Sequence, residues 1–135
     1  SSLPKETKYR YFQEWTAGWG QKEVGDYLIN LGKNGQRIIV VTEGFFGSLP
    51  DGLQIYTQKY PNITVIGSPW PVREVPDNLS NSLKDPQNLA FLVLNKSRNE
   101  LKPSDLERLK FIVSYDKTPR PDGSVEALQL YQLIK

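Results

Sequence analysis

The segment IIVVTEGFFGSLP, residues 38–50, is the centre of the predicted fold. It begins with four consecutive β-branched apolar residues, a pattern that predicts a strand buried on both faces. A loop with two glycines follows, and Pro50 suits the first turn of a helix. In open α/β sheets, ligands bind outside the carboxyl ends of the strands, so Thr42, Glu43 and Gly44 are the first candidates for a site.

Composition limits the chemistry that the chain can perform. A chain of 135 residues is expected to form one domain, and its net charge of +2 is scattered, which argues against a nucleic-acid partner. The chain has no histidine and no cysteine. Their absence removes cysteine nucleophiles, Ser-His triads, histidine bases and nearly all zinc sites, and leaves acid–base chemistry to Asp, Glu, Lys or Tyr. No metal site, cofactor or catalytic residue is predicted.

Helical and strand patterns alternate along the chain. The predicted elements are helix 21–32, strand 38–42, helix 53–60, strand 63–67, a short helix or turn 77–84, strand 89–94, helix 103–109, and strands 111–115 and 125–134. Asp77 and Asp105 are expected to cap their helices. The last two strands are too close in sequence for a helical crossover, so an antiparallel edge hairpin is expected. The pattern predicts an α/β fold, a three-layer Rossmann-like sandwich with a mostly parallel sheet and a C-terminal antiparallel hairpin.

The first twenty residues differ from the remainder, which is predicted to be a single α/β domain over residues 21–135. Five aromatic residues fall within residues 9–19. In one interpretation they form an irregular lead-in that covers an edge of the core. In the other they form an amphipathic collar at a membrane surface, because Trp and Tyr favour the headgroup level. The lack of methionine, even at position 1, predicts a fragment of a longer protein.

A candidate binding rim follows from the predicted parallel strands. Their carboxyl ends would bring residues 43–47, 68–72 and 95–97 together, where aromatic rings could stack on a sugar and polar groups could bond its hydroxyls. The candidate ligand-binding residues are Glu43, Gly44, Phe46, Gly47, Trp70, Asn95 and Ser97. In the alternative interpretation the aromatics close the core and Glu43 caps the amides that follow it. The two loop glycines match neither a dinucleotide fingerprint nor a P-loop.

Two stretches carry a family resemblance when they are taken together. They are EWTAGWG at residues 14–20, followed by a helix that starts QKEV, and VTEGFFGSLP at residues 41–50. Residues 60–63, YPNI, and the Trp70-Pro71 pair add to it. Over residues 9–135 the chain resembles the carboxy-terminal soluble domain of bacterial membrane glycosyltransferases of the dolichyl-phosphate-mannose–protein mannosyltransferase type.

The resemblance implies a location and a set of partners. It implies a multi-pass enzyme of the cell membrane that transfers a sugar from a polyprenyl-phosphate donor, with this domain on the extracytoplasmic face. The implied partners are the enzyme's own membrane-embedded half and a glycan or acceptor substrate. Catalytic acids of that family belong to the membrane half, so none is assigned here. Two other hypotheses remain: a free-standing Rossmann-like domain that binds a nucleotide or small anion, and a structural interaction domain.

Overall fold

A computed structural model describes residues 20–43, 48–68, 72–116, 121–123 and 126–135. Nearly all of the aromatic lead-in therefore lies outside the described residues. The elements, in chain order, are α1 (Gln21–Leu31), β1 (Arg37–Glu43), α2 (Ser48–Thr57), β2 (Ile63–Ser68), α3 (Asp77–Ser82), β3 (Asn88–Asn95), a 3-10 turn (Lys96–Arg98), α4 (Pro103–Leu106), β4 (Leu109–Asp116) and β5 (Ala127–Leu133). Every predicted helix and strand is present, with bounds that differ by a few residues.

The described strands form one sheet in the order β2-β1-β3-β5-β4. Strand β1 pairs in parallel with β2 on one side and with β3 on the other, which confirms the prediction that it is an interior strand. Strand β5 runs antiparallel between β3 and β4. The predicted hairpin of the last two strands is confirmed, with β4 as the outer strand and β5 inside the sheet.

The predicted three-layer Rossmann-like sandwich with a mostly parallel sheet is wrong. Among the described strands, two pairings are parallel and two are antiparallel, because β5 is inserted between β3 and β4. The described helices are also short, and α3 and α4 contain only six and four residues. Residues 72–76, between β2 and α3, form no helix. The architecture is a mixed α/β fold around a five-stranded sheet.

Apolar side chains of β1 point alternately to two core clusters, as the period-2 geometry of a strand requires. Ile38 and Val40 pack in one cluster with Val24 and Leu28 of α1. Val41 packs in the second cluster, which also includes residues between β2 and β3 and residues of β5. Val40 and Val41 are both fully buried, which confirms that this strand is covered on both faces. Within the described residues, no helix is long and apolar enough to cross a membrane.

The residue before α1, Gly20, is a glycine whose conformation and surroundings both disfavour a side chain. Gly20 has φ of 81°, and a Cβ atom there would lie 3.0 Å from Cβ of Leu128 in β5. Gly35 has a similar φ of 86°, but a Cβ atom there would meet no atom within 4 Å. A substitution at Gly35 therefore tests backbone strain alone, and the same substitution at Gly20 tests backbone strain together with steric crowding.

Gly20→Ala is expected to destabilise the domain more than Gly35→Ala. Each substitution places alanine in the left-handed region at a cost of about 1–2 kcal/mol, and only Gly20→Ala adds a clash with Leu128. Urea unfolding of both variants and the wild type measures the difference. Equal losses in the two variants would show that the start of α1 moves away from β5 without cost.

Candidate functional site

The carboxyl-end rim of the sheet is built from Glu43, Ser68, Asn95, Ser97 and Glu126. Strands β1, β2 and β3 end here, and Glu43 is in register with Ser68. The 3-10 turn follows β3 directly, so Ser97 stays at the same edge. Strand β5 runs in the opposite direction and therefore begins here, immediately after Glu126. The prediction that residues 43 and 95–97 lie together is confirmed.

Glu43 holds the end of β3 through a carboxylate clamp. Its side chain is 2% exposed. Oε1 accepts a hydrogen bond from the backbone N–H of Asn95 at 3.2 Å, and Oε2 accepts one from Nδ2 of the same residue at 2.7 Å. Hydrogen bonds to a carboxylate are roughly twice as strong as neutral ones. Glu43 therefore fixes both the backbone and the side chain of Asn95.

Glu126 forms a second clamp on the 3-10 turn. Its side chain is 6% exposed. Oε1 accepts hydrogen bonds from the backbone N–H groups of Ser97 at 2.9 Å and Ala127 at 3.0 Å, and Oε2 accepts one from Oγ of Ser97. Sequence reasoning did not single out Glu126. The available signal was a charged residue at the start of a predicted strand whose other polar residues are two uncharged glutamines.

The two clamps have the same design, since each carboxylate binds the backbone N–H and the side-chain donor of one residue. Together they hold residues 95–97 between β1 and β5. Because both carboxylates are buried, a ligand that approached the rim would meet the exposed side chains of Lys96 and Ser97 before either acid. The described part of the rim is therefore suited to positioning loops, and its acids are not presented to solvent for proton transfer.

Several candidate residues lie outside the described part of the chain. These are Gly44, Phe46, Gly47 and Trp70. The stacking of aromatic rings on a sugar therefore stays a prediction. So does the alternative in which Glu43 caps the amides that follow it, because those amides belong to residues 44–47.

Asp77 and Asp105 were predicted to cap their helices, and this prediction is wrong. Pro76 occupies the cap position of α3 and Lys102 that of α4, and neither forms a side-chain cap bond. Asp105 is 8% exposed and its Oδ1 accepts a hydrogen bond from the backbone N–H of Val75 at 3.2 Å. It therefore fixes the segment before α3. Across the described ranges of the chain, no group of three or more acidic side chains is placed to hold a metal ion.

Tyr115 in β4 lies beside the start of α1, and its partial burial has a consequence for stability at high pH. Burial raises the pKa of its phenol above the ordinary value of 10.0, and the nearby carboxylates of Glu23 and Asp26 raise it further. The unfolded chain therefore releases this proton at a lower pH than the folded chain does. The contribution of Tyr115 is constant below about pH 10, and stability falls as the pH rises from there through the folded-state pKa.

Tyr115→Phe is expected to lose less stability than the wild type between about pH 9 and pH 11. The variant keeps the ring but removes the ionisable hydroxyl, while the remaining tyrosines and lysines titrate in both proteins. Urea midpoints measured across this range test the difference. Parallel losses in the two proteins would show that the Tyr115 phenol ionises equally well in the folded and unfolded chains.

Comparison with known proteins identifies no relative, since no family model, curated protein or solved structure matches the chain.

Proposed function

We propose that the chain is a non-catalytic accessory module of a polytopic membrane glycosyltransferase and lies on the extracytoplasmic face of the cell membrane. Its membrane-embedded half transfers a sugar from a polyprenyl-phosphate donor, and the module contacts that half, a glycan or the acceptor. Residues 9–19 lie near the membrane surface. The proposal starts from the resemblance in residues 14–20, 41–50 and 60–63. Support from the structure comes from the contacts that the described residues of these segments make.

The described residues of the resemblance segments include three that lie at junctions between elements. Gly20, the last residue of the first segment, begins α1 against Leu128. Glu43, in the second segment, ends β1 and clamps β3. Asn62, in the third, donates from Nδ2 to the carbonyl oxygens of Gly32 at 2.9 Å and Gln36 at 2.8 Å. The three residues therefore join elements of the fold, which is consistent with a role of these segments in the architecture of the module.

The bonding of the three buried acids in the described part of the chain, Glu43, Asp105 and Glu126, supports the non-catalytic part of the proposal. A general acid or base must reach a substrate proton directly or through one water molecule. Glu43 and Glu126 are buried and bonded to Asn95 and Ser97, and Asp105 is buried and bonded to Val75. Each of these acids holds a loop in place. This use of the buried acids favours a module that presents a surface over an enzyme.

The isolated chain is expected to show no sugar transfer. The test incubates it with a mannosyl polyprenyl phosphate and an acceptor peptide, beside membranes that contain the protein expressed from its full-length gene. The membranes should form product, and the isolated chain should form none. Turnover by the isolated chain would contradict the non-catalytic assignment, and a full-length gene without multiple membrane spans would contradict the membrane assignment.

A structural interaction domain is the second candidate, and one observation favours it. Ile55 and Tyr56 near the end of α2 and Tyr60 after it are 66%, 40% and 36% exposed. The three exposed apolar side chains fall within six consecutive residues, and exposed apolar surface is a common feature of interaction sites. The full-length gene separates the two candidates, because only the first requires membrane spans. The hypothesis of a free-standing Rossmann-like domain assumed a mostly parallel sheet. The antiparallel pairings of β5 remove that support.

A further inference from the structure

A hollow of about 590 Å³ opens beside the carboxyl end of β2, outside the two carboxylate clamps. Its volume falls in the range of small-molecule sites, roughly 300–1,000 Å³. Its polar lining residues are Ser68, Arg73, Glu74, Asp77, Asn78 and Lys102. Ser68 is buried, whereas Arg73, Glu74, Asp77, Asn78 and Lys102 are exposed. The hollow therefore has a closed side at the sheet and polar groups around its opening.

Three cross-links between residues 73–75 and residues 100–105 hold the hollow in shape. The buried carboxylate of Asp105 accepts the Val75 N–H at 3.2 Å. Arg73 pairs with Glu100 at 3.2 Å, and Lys102 lies 4.0 Å from Glu74. Exposed ion pairs contribute little free energy, so the buried Asp105 bond is the main restraint and the pairs orient the side chains. The backbone beside the hollow is thus tied to α4 at Val75.

The charges of the lining residues restrict the class of ligand. The lining carries two basic side chains, Arg73 and Lys102, and two acidic ones, Glu74 and Asp77. A phosphate, a nucleotide or a cation would each meet charges of both signs, so the lining gives an ionic ligand no net electrostatic attraction. An apolar ligand would desolvate these charges without replacing their hydrogen bonds. A neutral molecule rich in hydroxyl groups fits this lining, because its hydroxyls can bond the acidic and the basic side chains without an opposing charge.

We propose that this hollow binds a neutral saccharide. Each sugar hydroxyl both donates and accepts hydrogen bonds, so it can satisfy a carboxylate and a basic group at once. Asp77 accepts from adjacent hydroxyls, and the amide of Asn78 both donates and accepts. Val72 and Pro76, which also line the hollow, offer a small apolar surface for the C–H face of the ring. The proposal depends on the hollow alone and goes beyond the proposed function, since it holds with or without a membrane-embedded half.

The test is a titration of the ¹⁵N-labelled 135-residue chain, observed through its amide resonances. The probes are methyl α-mannoside, methyl β-glucoside, N-acetylglucosamine and cellobiose, and the counter-probes are inorganic phosphate, AMP and putrescine. At least one sugar is expected to shift the amides of residues 72–78 and 102 in a saturable way. The counter-probes are expected to leave these amides unchanged.

Two variants test the assignment of the binding groups, and a third is their control. Asp77→Asn and Asn78→Ala are expected to weaken sugar binding about tenfold or more, because each removes hydrogen bonds that the ligand needs. Glu107→Gln removes a charge from an exposed site outside the hollow and should leave binding unchanged, and thermal melts verify that all three fold. The proposal is overturned if no sugar shifts these amides, if phosphate or AMP binds there instead, or if Asp77→Asn and Asn78→Ala bind like Glu107→Gln.

Discussion

Val40→Asp is expected to unfold the domain. Val40 is fully buried, and it lies in register between Val65 of β2 and Phe91 of β3. Its side chain packs in the core cluster that contains residues of α1. A carboxylate at this position has no partner and costs several kcal/mol, a large part of the ~5–15 kcal/mol that stabilises a typical domain. Far-UV circular dichroism and urea unfolding measure the loss.

Thr64→Asp is the matched control for Val40→Asp. Thr64 is exposed in the neighbouring edge strand β2, so the same new charge stays in water. The expected cost is about 1 kcal/mol or less, from the low β propensity of aspartate. If Val40→Asp gave a cooperative urea transition close to that of Thr64→Asp, position 40 would have to lie outside the core.

Local sequence patterns were sufficient to locate the helices and strands. In the apolar run of β1, Ile38, Val40 and Val41 are buried, and the stripe that includes Val24 and Leu28 packs against the sheet. Element ends were less well predicted, because local propensity does not decide them alone. Helix α4 stops at Leu106 and Leu109 starts β4, since Leu109 pairs with Leu133 of β5.

The arrangement of the strands was not accessible from local patterns. The apolar run of β3 indicates a buried strand, but it does not indicate that β5 will be its neighbour. That pairing joins Phe91 to Gln132, more than forty residues later, and it makes half of the described pairings antiparallel. A hairpin at residues 109–133 can join a sheet through either of its strands, and long-range packing determines which one.

The side-chain contacts of the candidate site could also be predicted only in part from the sequence. Glu43 and Asn95 were predicted on one rim because parallel strands end at one edge, and they are hydrogen-bonded there. The partner of Ser97 is Glu126, which lies 29 residues away and was missed. Asp105 was expected to cap α4, but its carboxylate reaches Val75, 30 residues away. Buried polar pairs between distant elements leave little local signature.

Glu126→Ala is expected to destabilise the domain by about 3 kcal/mol, the second large effect. The substitution removes the acceptor for the N–H groups of Ser97 and Ala127 and for Oγ of Ser97. A buried donor left without an acceptor costs about 1–3 kcal/mol, and water can compensate only in part, on the exposed side of Ser97. The released 3-10 turn should also exchange its amide hydrogens faster. Urea unfolding and hydrogen exchange at residues 97 and 127 measure the two effects.

Glu126→Gln and Glu107→Ala distinguish the loss of the Glu126 hydrogen bonds from the loss of a negative charge. Glu126→Gln keeps one carbonyl acceptor, and its new amide can donate to the Ser97 hydroxyl, so a loss of about 1 kcal/mol is expected. Glu107→Ala removes an exposed carboxylate and should change stability by no more than about 0.5 kcal/mol. If Glu126→Ala were as stable as Glu107→Ala, and residues 97 and 127 stayed protected, Glu126 would not be what holds the turn. In that case Glu43, acting through Asn95, would be the principal restraint on the carboxyl-end rim.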